Sequence, residues 1–298
     1  MYFEHTTHSG YDCRDGGLKA NNPIQDAVDE SKSIWGSSVN YDLLISVGSG
    51  KGDRPQKHPS SWKLVPEYLV GLTRALLSTM DGEGAWYMFQ RGIEGRIRDR
   101  AVRLNVKFDG EAEPALDDKK SVDMMQWHAT NYKFYNNLHA LSVPVQGDFP
   151  KDMLECLAAR LQASLFFFEM EYMEEKTEEV AIRGWICCRL SHDETGFRNL
   201  MDRTRGFYVA EQQLQESKRW TASSAPFRHS VFIHESKQNL DKDIRIDVDF
   251  GKKYRASISG FPMTLKALLD YGNEHADNLQ TAEVATTQPH EPVTLHAT

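Results

Sequence analysis

Residues 21–52, NNPIQDAVDESKSIWGSSVNYDLLISVGSGKG, decide the fold class. Asn22 is suited to cap a helix, and Pro23 fits a first turn, where its missing N–H costs nothing. Ile24, Ala27, Val28, Ser31, Ile34 and Trp35 then recur at helical spacing. Leu43 to Val47 follow as a short apolar run ending in glycines. Such a run predicts a fully buried strand of a parallel sheet, with a loop at its carboxyl end. A helix followed by a buried strand is an α/β unit.

The pattern continues outward. Val65, Leu69, Leu72, Leu76 and Met80 mark an amphipathic helix, and Trp86, Phe89, Ile93 and Ile97 a second one among glycines at 82, 84, 92 and 95. Val102, Leu104, Val106 and Phe108 alternate as in a half-buried strand, residues 109–121 are a loop, and 122–138 a weakly patterned helix. Near residue 150 the composition changes. A helix over DFPKDMLECLAARLQ precedes a series of strand-like segments: ASLFFFEMEY, VAIRGWICCRL, GFYVA, RHSVFIHES, DIRIDVDF and YRASISGF. The acidic run Glu169–Glu179 suits a solvated hairpin or loop, and residues 196–204 a short helix. PMTLKALLDYG closes the region as a helix with Pro262 at its start. The layout expected is an α/β domain over 1–148, a β-rich α+β domain over 149–274, and a disordered tail over 275–298.

Composition narrows the function classes. The chain has 298 residues, 40% of them hydrophobic and 26% charged, with a net charge of −8, and no basic stripe interleaved with aromatics. That balance argues against a nucleic-acid partner. No apolar run approaches the ~20 residues of a membrane span. Cys13, Cys156, Cys187 and Cys188 lack CxxC spacing, which favours a reducing compartment, with Cys187 and Cys188 as buried thiols.

Several motifs carry little chemistry. GSGKG at 48–52 lacks the first glycine of a phosphate-binding P-loop, which stands before its Gly-Lys with four residues between, since position 45 is Ile. His5 and His8 have HxxH spacing but no matching ligands beyond Asp12 and Cys13, so no metal is expected. No motif groups Ser49, His128, His139 and Asp193 as a triad.

Asp15-Gly16-Gly17 is by itself a common turn. Followed by Asn21-Asn22-Pro23 and a strand ending SVGSG, it resembles the carboxyl-terminal part of the patatin-like lipid acyl hydrolase domain. PALDD at 114–118, ARLQASLFFFE at 159–169 and ISGFP at 258–262 resemble the continuation of that family's fungal branch. The resemblance implies an incomplete patatin-like parallel-sheet domain followed by the β-rich region. It also implies a Ser–Asp dyad acting on a phospholipid or acylglycerol ester. The serine of a GxSxG elbow attacks the ester carbonyl, and the aspartate takes its proton. Asp15 matches that catalytic aspartate, and Gly16 and Gly17 match its supporting neighbours.

This chain contains no GxSxG, and only fourteen residues precede Asp15. The expectation is a truncated hydrolase chain with the base but neither nucleophile nor oxyanion loop, inactive alone. The alternative is a non-catalytic remnant serving as a binding or regulatory module. The resemblance implies no cofactor, a lipid ester or membrane surface as partner, and a cytoplasmic location, free or peripheral on membranes.

Overall fold

The computed structural model describes residues 6–13, 20–37, 39–54, 82–112, 114, 118–132, 153–214, 226–251 and 255–273. The protein is mixed α/β, with helices and several small sheets. The chain divides into two units, residues 1–144 with 148–158 and residues 145–147 with 159–298. The helix expected over 62–80, the dyad motif at 15–17 and the tail over 275–298 lie outside the described residues.

The first unit opens with the antiparallel pair β1 (Thr6–His8) and β2 (Tyr11–Cys13). Helix α1 (Ile24–Trp35) starts after Pro23 and ends at Gly36, whose positive φ of 90° turns the chain away. It buries Ile24, Val28 and Ser31. Strand β3 (Leu44–Val47) leads through the glycine loop into β4 (Lys51–Arg54). Helices α2 (Gly82–Gly92) and α3 (Gly95–Arg98) follow, with Ile93 and Glu94 between them, so the single helix expected here is two. Trp86, Phe89, Ile93 and Ile97 nevertheless share one buried cluster with Ile24, Val28 and Ala101, as their spacing requires.

The strand expected over 102–108 is also divided. Strand β5 (Ala101–Leu104) runs parallel to β3, and β6 (Lys107–Ala112) runs parallel to β4. Strand β5 is not half-buried, because Ala101, Val102 and Arg103 are all buried. Parallel pairing of β3 agrees with expectation, but full burial does not. Ser46 points inward, while Ile45 is 38% exposed and Val47 73%. Beyond β6, Asp118 accepts from the Lys120 N–H (3.0 Å) and the Ser121 hydroxyl (2.7 Å), and so opens a 3-10 turn into α4 (Val122–Asn131).

Helix α5 (Met153–Ala163) crosses the division between the units. The second unit is antiparallel. Strands β7 (Phe166–Glu175) and β8 (Glu179–Cys188) form a hairpin, the first of the two alternatives for the acidic run, most of which lies within β7. Helix α6 (Thr195–Arg203) precedes β9 (Gly206–Val209), β10 (Gln212–Gln213) and β11 (Arg228–Ser236). Strands β12 (Asp243–Ile244), β13 (Ile246–Asp249), β14 (Arg255–Ser257) and β15 (Met263–Thr264) complete the sheets.

The sheet orders are β11-β8-β7, β10-β9-β13-β14 and β12-β15. The final helix, α7, begins at residue 265 and is described to 273. Pro262 does not start it. Thr264 caps it instead, its Oγ1 accepting the Ala267 N–H at 3.2 Å. Leu265, Leu268 and Leu269 of α7 pack in one cluster with Phe166, Ile182, Ile186, Phe207, Phe227, Ile246 and Val248. The Phe166 ring stands edge-on to Phe207, with centroids 5.1 Å apart.

Candidate functional site

The carboxyl ends of β3 and β5 carry a connected polar network built from residues 22 to 105. Open α/β sheets present their sites at this end of the strands. Asn22 is buried, yet it does not cap α1, which has no side-chain cap. Its Oδ1 accepts from the Ser46 hydroxyl (2.9 Å), and its Nδ2 donates to the Gly82 carbonyl (3.0 Å). One side chain therefore ties the start of α1 to β3 and to the start of α2.

Arg103 on β5 extends the network. Its guanidinium donates to Ser46 Oγ (2.7 Å) and, through Nε, to Glu83 Oε1 (2.9 Å). Glu83 lies in the first turn of α2, where the helix dipole favours a carboxylate. The same oxygen accepts from Asn105 Nδ2 (2.8 Å), and Asn105 Oδ1 accepts the Gly50 N–H (2.8 Å). A buried charge is tolerable only when it is paired and hydrogen-bonded, and Arg103 meets both conditions.

The network holds the loop Gly48-Ser49-Gly50 in place. A Cβ on Gly48 would collide with the Asn105 amide, so the close approach requires glycine. Gly50 has a φ of 110° and lies against the Phe108 ring, which excludes a side chain on both counts. The amides of Gly48, Gly50 and Lys51 donate to Leu104 O, Asn105 Oδ1 and Val106 O at 2.7–2.8 Å. A phosphate needs such amides free, so the loop is a structural turn rather than an anion cradle.

Beside this loop is a cleft of about 320 Å³. Buried Phe108 and half-buried Val106 and Met125 line it, with Ser49, Val122, Gln126 and Ala129 as its exposed residues. Among the described residues, no charged side chain lines it. His128 of α4 turns its ring on to Phe108, with centroids 5.5 Å apart, and on to Trp127 at 5.0 Å.

The remaining sequence candidates fall elsewhere. Asp15, Gly16, Gly17, His5 and His139 lie outside the described residues. Asp193 belongs to the second unit, where the Ser191 hydroxyl holds its carboxyl below the usual carboxylate range. Cys187 is buried, and that burial pushes its thiol up to about 11, aided by the Glu169 carboxylate 3.3 Å from its Sγ. A neutral thiol is a poor nucleophile. Burial likewise raises Cys188. Among the described residues, no three His, Cys, Asp or Glu side chains gather as a metal site requires. No helix among them is long and apolar enough to cross a membrane.

Sequence reasoning passed over Ser46, Glu83, Arg103 and Asn105. The available signal was an arginine inside the apolar run AVRL. Such a residue is rarely buried without a partner, and here the partner is set 20 residues earlier, at Glu83.

Comparison with known proteins adds one match. Residues 181–273 match a family described as a domain of unknown function (DUF8392). No curated protein and no solved structure matches the chain.

Proposed function

We propose that this chain is part of a patatin-like lipid acyl hydrolase, with Asp15 as the base of a Ser–Asp dyad acting on a phospholipid or acylglycerol ester. The observation that carries the reading is the ordered pattern Asp15-Gly16-Gly17, Asn21-Asn22-Pro23 and a strand ending in a glycine loop. Two features of the first unit support it. Asn22, seven residues after Asp15 in the motif pattern, is anchored to β3 and to the start of α2. The paired strands β3 and β5 are parallel, with the glycine loop at their carboxyl end. The outward exposure of Ile45 and Val47 suits an incomplete parallel sheet, because parallel sheets are ordinarily covered on both faces.

In this reading Gly16 and Gly17 keep the carboxylate of Asp15 accessible. These 298 residues contain no GxSxG elbow to supply the nucleophile. No cofactor is required, since acyl transfer by serine and aspartate needs only a base and oxyanion donors. The protein would work in the cytoplasm or at a membrane surface. The absence of any GxSxG favours a second reading, a non-catalytic binding or regulatory module.

The test has two arms. The chain alone is expected to hydrolyse no p-nitrophenyl acyl ester above background. Turnover lost in Asp15→Asn would overturn that and reveal another nucleophile. The encoded sequence upstream of Met1 is then read for an in-frame GxSxG. In the longer protein, Asp15→Asn should lower hydrolysis by about 10²- to 10⁴-fold, the range for a general base. An unchanged rate would remove Asp15 from the dyad.

A further inference from the structure

We infer that the outer edge of β11 pairs antiparallel with β11 of a second copy of this chain, about a twofold axis at Phe232. The inference uses only the second unit and is independent of the hydrolase reading. It starts from the two edges of the sheet β11-β8-β7. An edge strand presents unpaired N–H and C=O groups, and proteins blunt such edges with charges, bulges or cover. Strand β7 has all three. Glu169, Glu171, Glu174 and Glu175 are exposed on it, its register shifts between Met170 and Tyr172, and Phe167 bridges Ser259. Strand β11 is built differently. Its register with β8 runs unbroken from Arg228 to Ser236, and it contains no Pro, Gly or Lys. Arg228 and Glu235 lie towards its ends, and at its centre Phe232 is 61% exposed. Among the described residues, no strand pairs with its outer edge.

The sequence of β11 selects a second copy as the occupant, because RHSVFIHES complements itself when reversed. Directly opposed residues of an antiparallel pair share a face. With Phe232 opposite itself, Val231 meets Ile233 of the second copy and His229 meets its Glu235, all on the inward face. On the outward face Ser230 meets His234 and Arg228 meets Ser236. Apolar residues meet apolar ones, and no like charges are opposed. A shift of two residues one way sets Val231 against Glu235. The same shift the other way sets Arg228 against His234 and His229 against Ile233. A shift of one residue sets inward residues against outward ones. The register centred on Phe232 is therefore favoured. The glutamates and the bulge on β7 stop further growth, so the assembly closes as a twofold pair.

The experiment uses the full chain in sedimentation equilibrium. A strand of this length spans about 30 Å. It buries less than the roughly 1,600 Å² of a standard interface, so association is expected at about 10–100 µM. Phe232→Lys sets two ammonium groups face to face at the axis. It should weaken association by about tenfold or more, with thermal unfolding of the dilute protein unchanged. Cysteine crosslinking reads the register. Opposed Cα atoms lie about 4.5–5.5 Å apart, within disulfide range, so Phe232→Cys should form a covalent dimer on oxidation well above the parent treated alike. Ser230→Cys should not, because its own copy lies about 13 Å along the strand. Amide exchange on β11 should slow as protein concentration rises. A chain still monomeric at about tenfold above the expected range overturns the inference and leaves the edge to a strand of another protein. Full protection of β11 in dilute monomer overturns it as well, since a segment of the same chain then fills the edge. So does a dimer that Phe232→Lys leaves intact, or equal crosslinking at residues 230 and 232.

Discussion

Strands β3 and β8 invert one another. On β8, Val180, Ile182, Gly184 and Ile186 are buried, and Arg183 between them is exposed. On β3 the inward residue is Ser46, while Ile45 and Val47 face outward. In the second unit the sheets close over hydrocarbon, and the interior is an interlocked set of aromatic and branched side chains. In the first, the described sheet encloses a polar network and leaves apolar residues on its open face. A strand that spends its apolar residues outward needs another layer to cover them. The second unit has the organisation of a finished core. The first joins a buried polar network at β3 and β5 to a smaller apolar cluster around Trp86, Phe89 and Val28.

The network at β3 and β5 offers the largest effect. Arg103→Met should cost about 3 kcal/mol, because it leaves the Glu83 carboxylate and the Ser46 hydroxyl without their shared partner. Glu83 is 31% exposed, so water recovers part of the loss and keeps the figure at the lower end. Urea unfolding measures it, and amide exchange at Gly50 should quicken as the Asn105 contact loosens. A change below about 0.5 kcal/mol would make the network ornamental and the contrast with the second unit one of degree.

A matched pair of substitutions sharpens the comparison. Val231 on β11 is 1% exposed, and Val47 on β3 is 73% exposed. Val231→Thr should cost about 1–3 kcal/mol, the penalty for burying a hydroxyl without a partner. Val47→Thr should lie within about 0.5 kcal/mol of the parent, as surface changes do. If Val47→Thr costs as much as Val231→Thr in urea unfolding, the outward face of β3 is covered in solution and the inversion is wrong.

The β-rich region was legible because its strands alternate, and alternation at a period of two states which face is buried. RHSVFIHES is one example, with His229, Val231 and Ile233 inward. The first unit was legible in α1 and in the parallel pairing of β3, but not in the breaks at Ile93 and Asn105 or in its interior. A continuous apolar run such as Leu43–Val47 does not say which of its residues face inward. Nor does Asn-Asn-Pro say whether Asn22 bonds its own helix or two distant elements. The second requires partners at Ser46 and Gly82, and no local pattern encodes them. The motif behind the functional reading, Asp15-Gly16-Gly17, rests on resemblance alone and lies outside the described residues.

His229 marks where the hydrocarbon interior of the second unit meets a titratable group, and it gives the smallest expected effect. The residue is 6% exposed on β11, with its ring 5.3 Å from that of Phe207. Burial disfavours the charged imidazolium and lowers its pKa from the ordinary 6.5. The unfolded chain therefore binds the proton more readily than the native one, so stability falls as pH drops through 6.5 and levels off below the native pKa. Carboxylates add their own pH dependence, and the informative quantity is the difference between the parent and His229→Gln. Urea midpoints from pH 8 to pH 5 should diverge less between the two proteins as pH falls, because only the parent carries the histidine penalty. A constant difference across that range would mean that the imidazole is protonated in place, and that the interior of the second unit is more polar around β11 than its aromatic neighbours indicate.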